Sequence, residues 1–312
     1  MGTPEFAVPS LQALIQAGEE VIAVVTQPDK PKGRGKRLAS PPVKELALRY
    51  NIPVLQPVKI RDEGFISIMK DLHPDIIVVI AYGKILPKAV LDIPPKGCIN
   101  VHASLLPKYR GAAPINWAII NGEKETGVTT MLMDEGMDTG DILLTERISI
   151  KPEDTTADIH DRLKHVGAAL LVETIKRVQS GTLRPVPQDH AQATYAPMLK
   201  KEDGRIDWGM GPQEIINLIR GLNPWPGAYT RWQGMQLKIF KAEVISSEFG
   251  VRSSEIKTIE PGTIINVSAD GICVAAGRDA LLITELQPEN RSRMSASEFI
   301  RGYKIGKGQI FD

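Results

Sequence analysis

The sequence predicts an α/β fold, a doubly wound domain with a mostly parallel sheet followed by a small β-barrel domain. Three observations carry this expectation. Residues 21–26 and 76–81 are unbroken, largely β-branched apolar runs, as strands covered on both faces require. Helical patterns alternate with such runs through the first half of the chain. Past Gly181 the texture changes to short strand-like segments cut by turn residues.

The elements follow in order. Residues 9–17 form an amphipathic helical stretch stopped by Gly18, residues 41–49 a second, and residues 114–121 a third stopped by Gly122. Strands are expected at 97–101 and 128–133. In residues 155–180, Ile159, Leu163, Val166, Leu170, Ile175 and Val178 recur at helical spacing, and Gly181 ends the pattern. Pro185, Pro187 and Pro197 among polar residues mark 182–205 as a linker between domains at 1–181 and 206–312. A short helix at 212–221 precedes five strand-like segments at 228–232, 235–244, 262–267, 271–275 and 280–284. Gln233-Gly234 and Asp270-Gly271 suit tight hairpins. Five short strands with one helix fit a small barrel of the oligonucleotide-binding type.

Bulk properties exclude several classes. The 312 residues are 42% hydrophobic and 24% charged, as in soluble globular proteins. No apolar run approaches the ~20 residues that span a bilayer. Cys98 and Cys273 are the only cysteines, too few for a zinc site, and a reducing cytoplasm is the expected compartment. A net charge of +1 gives no global sign of nucleic acid. Locally, Lys30, Lys32, Arg34, Lys36 and Arg37 form a basic loop with no acid among them. Gly33-Arg34-Gly35 lacks the third glycine of a dinucleotide fingerprint, which argues against a nicotinamide enzyme.

Asn100-Val101-His102 ends an expected strand, and the two-residue period points Asn100 and His102 the same way. Ligands of open α/β sheets bind outside the carboxyl ends of strands. An amide donor beside an imidazole there suits acyl transfer, although a satisfied polar pair would look the same. Ser104-Leu105-Leu106-Pro107, then Arg110-Gly111-Ala112-Ala113-Pro114, then Met133-Asp134-Glu135-Gly136-Met137-Asp138-Thr139-Gly140-Asp141 follow in order. Together these blocks closely resemble the folate-dependent formyltransferases. The finer resemblance is to the methionyl-tRNA formyltransferase family. It extends to residues 26–36, to Ala81-Tyr82-Gly83-Lys84-Ile85-Leu86-Pro87 and to Asn223-Pro224-Trp225-Pro226-Gly227-Ala228, and so spans nearly the whole chain.

The resemblance implies a Rossmann-like first domain and an OB-like second one. It further implies formyl transfer from 10-formyltetrahydrofolate to initiator methionyl-tRNA, without a metal. Asn100 is then expected to stabilise the oxyanion, His102 to move the proton, and Asp138 to orient and charge-stabilise His102 or to relay a proton. Ser104, Leu105, Leu106 and Pro107 resemble a folate-contacting turn. Tyr82, Gly83, Ile85, Leu86 and Asp134 would wall the pterin, partly through backbone groups, while Ile85 and Leu86 fit core packing equally well. Lys30, Lys32, Arg34, Lys36 and Arg37 would clamp acceptor-end phosphates. Trp225 is expected as a structural plug at the domain seam. His73, His160, His165 and His190 have no convergent partners in sequence. A monomer is expected, with no membrane contact.

The sequence departs from the resemblance at its start, where Met1 directly precedes Gly2. Relatives carry a short apolar strand there, which a doubly wound sheet places centrally. Four or five buried apolar side chains at ~1.5–3 kcal/mol each rival a domain's whole ~5–15 kcal/mol. The expectation is therefore a first domain lacking its first strand. The rival readings are a related formyltransferase or a formyltetrahydrofolate hydrolase acting on a small molecule, and a non-catalytic RNA-binding protein. The basic loop disfavours the former, and intact Asn100, His102 and Asp138 the latter.

Overall fold

The computed structural model describes residues 1–32, 37–245, 258–277 and 279–312. The chain forms two compact units. The first is Met1–Pro114, Glu125–Ser149 and Ile159–Pro197, and the second is Ile115–Lys124, Ile150–Asp158 and Met198–Asp312.

In the first unit a 3-10 turn, Glu5–Ala7, leads into α1 (Val8–Gln16). Then follow β1 (Val24–Val25), the hairpin strands β2 (Lys30–Lys32) and β3 (Arg37–Ala39), α2 (Pro42–Arg49), β4 (Val54–Leu55) and α3 (Glu63–Asp71). Next come β5 (Ile77–Val79), α4 (Lys88–Leu91), β6 (Cys98–His102), β7 (Arg110–Gly111) and α5 (Pro114–Ile120), which leaves the unit after Pro114. The strands β8 (Glu125–Leu132) and β9 (Ile142–Ser149), most of the long α6 (Thr156–Gln179), and β10 (Tyr195–Ala196) complete it.

The sheet is mixed. β1 pairs with β4 and β5 with β6 in parallel, whereas β6 with β8 and β8 with β9 are antiparallel. The reason at β8–β9 is the connection between Leu132 and Ile142, which is too short for a crossover of a dozen or more residues. Helix α3 is absent from the sequence expectations, though Asp62 caps it by accepting from Phe65 N at 3.1 Å. Its Phe65 and Met69 join Val25, Ile77, Val79, Tyr82, Val90 and Cys98 in one core cluster. Burial pushes the Cys98 thiol up to about 12, so it serves as a small core residue.

β1 and β5 are shorter than the apolar runs that predict them, because each finds a central neighbour over only part of its length. That neighbour is the dipeptide Met1-Gly2. Gly2 N donates to Val25 O at 2.9 Å, Ile80 N to Met1 O at 2.9 Å, and the Met1 amine to Val78 O at 2.6 Å. Beside this stub lies a groove of about 460 Å³, lined among others by Leu11, Ile22, Ala23, Ile76, Ile77 and Ile175. Burial lowers the Met1 amine from its ordinary 8.0 to about 5.

Residues 182–197, read from their prolines as linker, belong to the first unit. Val186 exchanges both backbone hydrogen bonds with Ile142, at 2.8 and 2.9 Å, and β10 runs parallel to β7. Prolines lack an N–H, but the residues between them keep theirs and pair normally.

The second unit carries α7 (Pro212–Gly221), β11 (Tyr229–Trp232), β12 (Met235–Val244), β13 (Ile264–Ser268), β14 (Gly271–Ala276), β15 (Asp279–Pro288), β16 (Met294–Ser295) and α8 (Ala296–Gly302). Its antiparallel sheet has the order β11-β12-β15-β14-β13, with β16 added to β15. Gln233 and Gly234, at φ 51° and 79°, form the hairpin turn expected from sequence. β12 is bulged around Lys241, where the register to β15 shifts. Trp225 is not a plug. It is 54% exposed, in the short connection between α7 and β11. No helix among the described residues is long and apolar enough to cross a membrane.

Candidate active site

β6 delivers Asn100 and His102 to the carboxyl end of the first unit's sheet. Asp138 arrives from the connection between β8 and β9, and all three meet at one oxygen. Asn100 Nδ2 donates to Asp138 Oδ1 at 3.3 Å, and His102 Nδ1 lies 3.6 Å from the same atom. The other carboxylate oxygen, Oδ2, accepts from Gly111 N at 2.9 Å. The sequence-predicted trio is therefore brought together.

The proton inventory of His102 follows from its partner. Nε2 lies 2.9 Å from Tyr109 O, and a carbonyl can only accept, so Nε2 carries a hydrogen. In the neutral ring Nδ1 is then a lone pair facing the Asp138 side. His102 is buried, and Asn100 keeps a second amide hydrogen beyond the one given to Asp138.

The turn after β6 is held from behind. Thr129 Oγ1, buried on β8, donates to Ser104 O at 2.7 Å and accepts from Leu106 N at 3.2 Å. Ser104 Oγ donates to Lys108 O at 2.7 Å, so its one hydrogen is used within the turn, and Leu106 is buried. Leu105 and Pro107 are half-buried and keep apolar surface.

Residues 81–86 divide between wall and core. Ile85 is 66% exposed, which removes the core-packing reading for it, whereas Leu86 is buried in the core cluster. The Tyr82 side chain is also in the core, with a hydroxyl that finds no partner among the described residues and burial raising its pKa. The Tyr82 and Leu86 side chains thus turn away from a ligand, and the Tyr82 carbonyl accepts from Gln27 Nε2 at 2.9 Å. Gly83, at φ 76°, makes the turn between them. Asp134 Oδ1 accepts from Gly136 N at 3.0 Å and from Thr139 Oγ1 at 2.6 Å, which fixes the loop ahead of Asp138.

The basic loop is an antiparallel hairpin, with Lys30 opposite Ala39 and Lys32 opposite Arg37 in its backbone register. Arg34 and Lys36 lie outside the described residues. The hairpin's base is polar and tied down. Lys30 Nζ donates to Gln27 Oε1 at 2.7 Å, and Gln27 Nε2 donates to Tyr82 O at 2.9 Å. The Gln56 amide, followed by the Lys44 ammonium, holds the Asp29 carboxyl below its usual range. Elsewhere Glu5, His160 and Asp161 could hold a metal by proximity, but the Lys164 ammonium already pairs with Glu5 at 2.6 Å and Asp161 at 2.9 Å.

Residues 1–175 match the formyl transferase family, and residues 198–304 match the formyl transferase C-terminal domain. A methionyl-tRNA formyltransferase of Acetivibrio thermocellus is 53% identical over 310 residues, covering 99% of this chain and 97% of the relative. One of Geobacter metallireducens is 54% identical over 308 residues, covering 99% and 96%. The chain belongs to the methionyl-tRNA formyltransferase family. Among solved structures, the sugar 3N-formyl transferase WlaRD, crystallised with dTDP and 5-N-formyl-THF, matches with a TM-score of 0.66 at 19% identity, covering 93% of this chain and 97% of that one. HypX of Aquifex aeolicus in complex with tetrahydrofolic acid matches with a TM-score of 0.57 at 19% identity. The match covers 82% of this chain and 43% of HypX. At such identities these two likenesses speak for the fold alone.

In this formyltransferase fold, some supporting residues escape sequence reasoning. Arg110 and Gly111 were visible as part of a motif, without a role. Thr129 looked like one more strand residue. Gln188 and His190 stood in an apparent linker, yet Arg110 Nη2 lies 2.6 Å from Gln188 Oε1 and 3.1 Å from His190 Nδ1. Nothing in local spacing signals contacts that span nearly eighty residues.

Proposed function

We propose that this chain transfers the formyl group of 10-formyltetrahydrofolate to the α-amino group of initiator methionyl-tRNA, for translation initiation. The observation that carries the proposal is the convergence of Asn100, His102 and Asp138 on one oxygen at a strand end, in a chain of this family. Exposed Ile85 and half-buried Leu105 keep apolar surface of the kind a folate ring would need.

The acceptor is a primary amine, with an ordinary pKa of about 7.7–8.0, and needs no enzyme nucleophile. As its nitrogen adds to the formyl carbon, negative charge grows on the formyl oxygen. The second Asn100 amide hydrogen is the donor for that oxygen, an effect of about 2.7–4 kcal/mol where one such donor is removed. The His102 Nδ1 lone pair takes the proton that the attacking amine must lose, with Nε2–H held by Tyr109 O. Asp138 stabilises the resulting imidazolium. The same proton then passes to the folate nitrogen as its bond to carbon breaks, so one C–N bond forms, one breaks, and no proton is gained or lost.

Lys30, Lys32, Arg34, Lys36 and Arg37 supply the phosphate contacts, and the protein works as a cytoplasmic monomer. The test is incubation with labelled 10-formyltetrahydrofolate and charged initiator or elongator methionyl-tRNA. Formyl-methionine on the initiator is the expected product. Release of formate alone would favour a hydrolase, and no turnover would favour a non-catalytic RNA-binding protein.

A further inference from the structure

Asp138 sits at φ 53°, in the left-handed region that a non-glycine residue occupies only where its surroundings hold it there. Its carbonyl is gripped from the far side by a buried amide. Gln188 Nε2 donates to Asp138 O at 3.0 Å and to Gly140 O at 2.7 Å. Gln188 Oε1 in turn accepts from Arg110 Nε at 3.1 Å and Nη2 at 2.6 Å. Gln188 is 6% exposed and Arg110 2% exposed.

The orientation of that amide is forced. A guanidinium only donates and a carbonyl only accepts, so flipping the amide would set donors against donors and acceptors against acceptors. The segment carrying Gln188 is itself fixed on both sides, by Val186 on Ile142 and by β10 on β7. The tripeptide Tyr109-Arg110-Gly111 reaches His102, Gln188 and Asp138 in turn. Tyr109 O holds His102, the Arg110 side chain holds Gln188, and Gly111 N holds the Asp138 carboxylate.

We propose that Gln188 and Arg110 are positioning residues for formyl transfer, acting by fixing the Asp138 backbone so that its carboxylate stays against Asn100 and His102. The inference rests on the reading of those three residues given above. Gln188→Glu keeps an acceptor for Arg110 but removes both hydrogens and aims a carboxylate at two carbonyls, which releases the Asp138 turn. Misplacement of about 1 Å at a reacting group costs on the order of 10²-fold in rate.

The experiment compares kcat, KM for both substrates, the pH profile of kcat/KM and melting temperature. It uses wild type, Gln188→Glu, Gln188→Met, Arg110→Lys, Asp138→Asn, and each of the first three changes combined with Asp138→Asn. The expected result is a fall in kcat of about 10²-fold in Gln188→Glu, with KM for folate little changed and a displaced pH profile. In the Asp138→Asn background the same change should cost almost nothing further, because a residue acting through a carboxylate loses its effect once that carboxylate is gone. If Gln188→Glu fails to fold, Gln188→Met and Arg110→Lys carry the same comparison. Equal losses with and without the Asp138 carboxylate, or a lower melting temperature with unchanged kcat, overturn the proposal. Normal turnover in Asp138→Asn alone instead overturns the catalytic assignment beneath it.

Discussion

The cluster around Asp138 and the basic hairpin at residues 30–39 are both functional candidates, and they are built in opposite ways. The cluster is buried or half-buried, and each polar atom of Gln188 and the Asp138 carboxylate has a named partner. The hairpin carries Lys30, Lys32 and Arg37 on two short strands, and Lys30 donates to Gln27 at its base. The difference follows from range. Proton transfer and oxyanion stabilisation require hydrogen-bond geometry, whereas attraction of phosphates acts over a Debye length of ~8–10 Å and tolerates a mobile donor.

The largest expected effect tests the cluster. Asn100→Ala should lower kcat on the order of 10²–10³-fold with folate binding retained, read by steady-state kinetics beside a folate titration. Asp138→Asn, which keeps the shape and removes the charge, should fall comparably. Equal losses in KM and none in kcat would make the cluster a binding surface and erase the contrast with the hairpin.

The next effect concerns the scaffold both regions share. We propose that the groove between β1 and β5 accepts one further apolar strand, so a version carrying about five apolar residues ahead of Met1 should melt higher without a changed salt response. The Met1 amine gives this a pH signature. It titrates at about 5 when folded against an ordinary 8.0. Between those values the unfolded chain holds a proton the folded chain lacks, so stability rises with pH there, by up to about 1.4 kcal/mol per unit. The lengthened version has no amine at that place and should lose the slope. Denaturant titrations at pH 5.5 and 7.5 would read it, and equal slopes in both versions would count against a buried amine.

A smaller effect separates the hairpin. Arg34→Ala should weaken methionyl-tRNA use and reduce the slope of log K against log salt by roughly 0.7–0.9 for one phosphate contact, leaving folate binding alone. An unaltered slope would mark the hairpin as a solvated loop. The smallest effect asks whether the two regions are joined. Gln27 touches Lys30 on one side and Tyr82 O on the other, so Gln27→Ala should raise KM for both substrates modestly. A change confined to one substrate would show that the regions act independently.

Much of this is legible in the sequence. α7 at Pro212–Gly221 and β12 at Met235–Val244 fall where periodicity placed them, because their apolar positions are local and uninterrupted. α3 and α8 were not foreseen, although Asp62 and the Ser295–Glu298 capping box were available as start signals. Asn100 and His102 were readable as a pair, since the strand period alone points them together.

The sequence by itself determined the fold class, the family and the residue types of the candidate chemistry, because local periodicity and contiguous motifs encode those. Only the tertiary structure decided that Asp138 meets Asn100 and His102 at a single oxygen, and that Tyr82 and Leu86 turn inward while Ile85 faces out. It also decided that Gln188, from an apparent linker, grips the Asp138 turn. Those contacts join positions dozens of residues apart, and their hydrogen-bond complementarity exists only once the strands that carry them have paired.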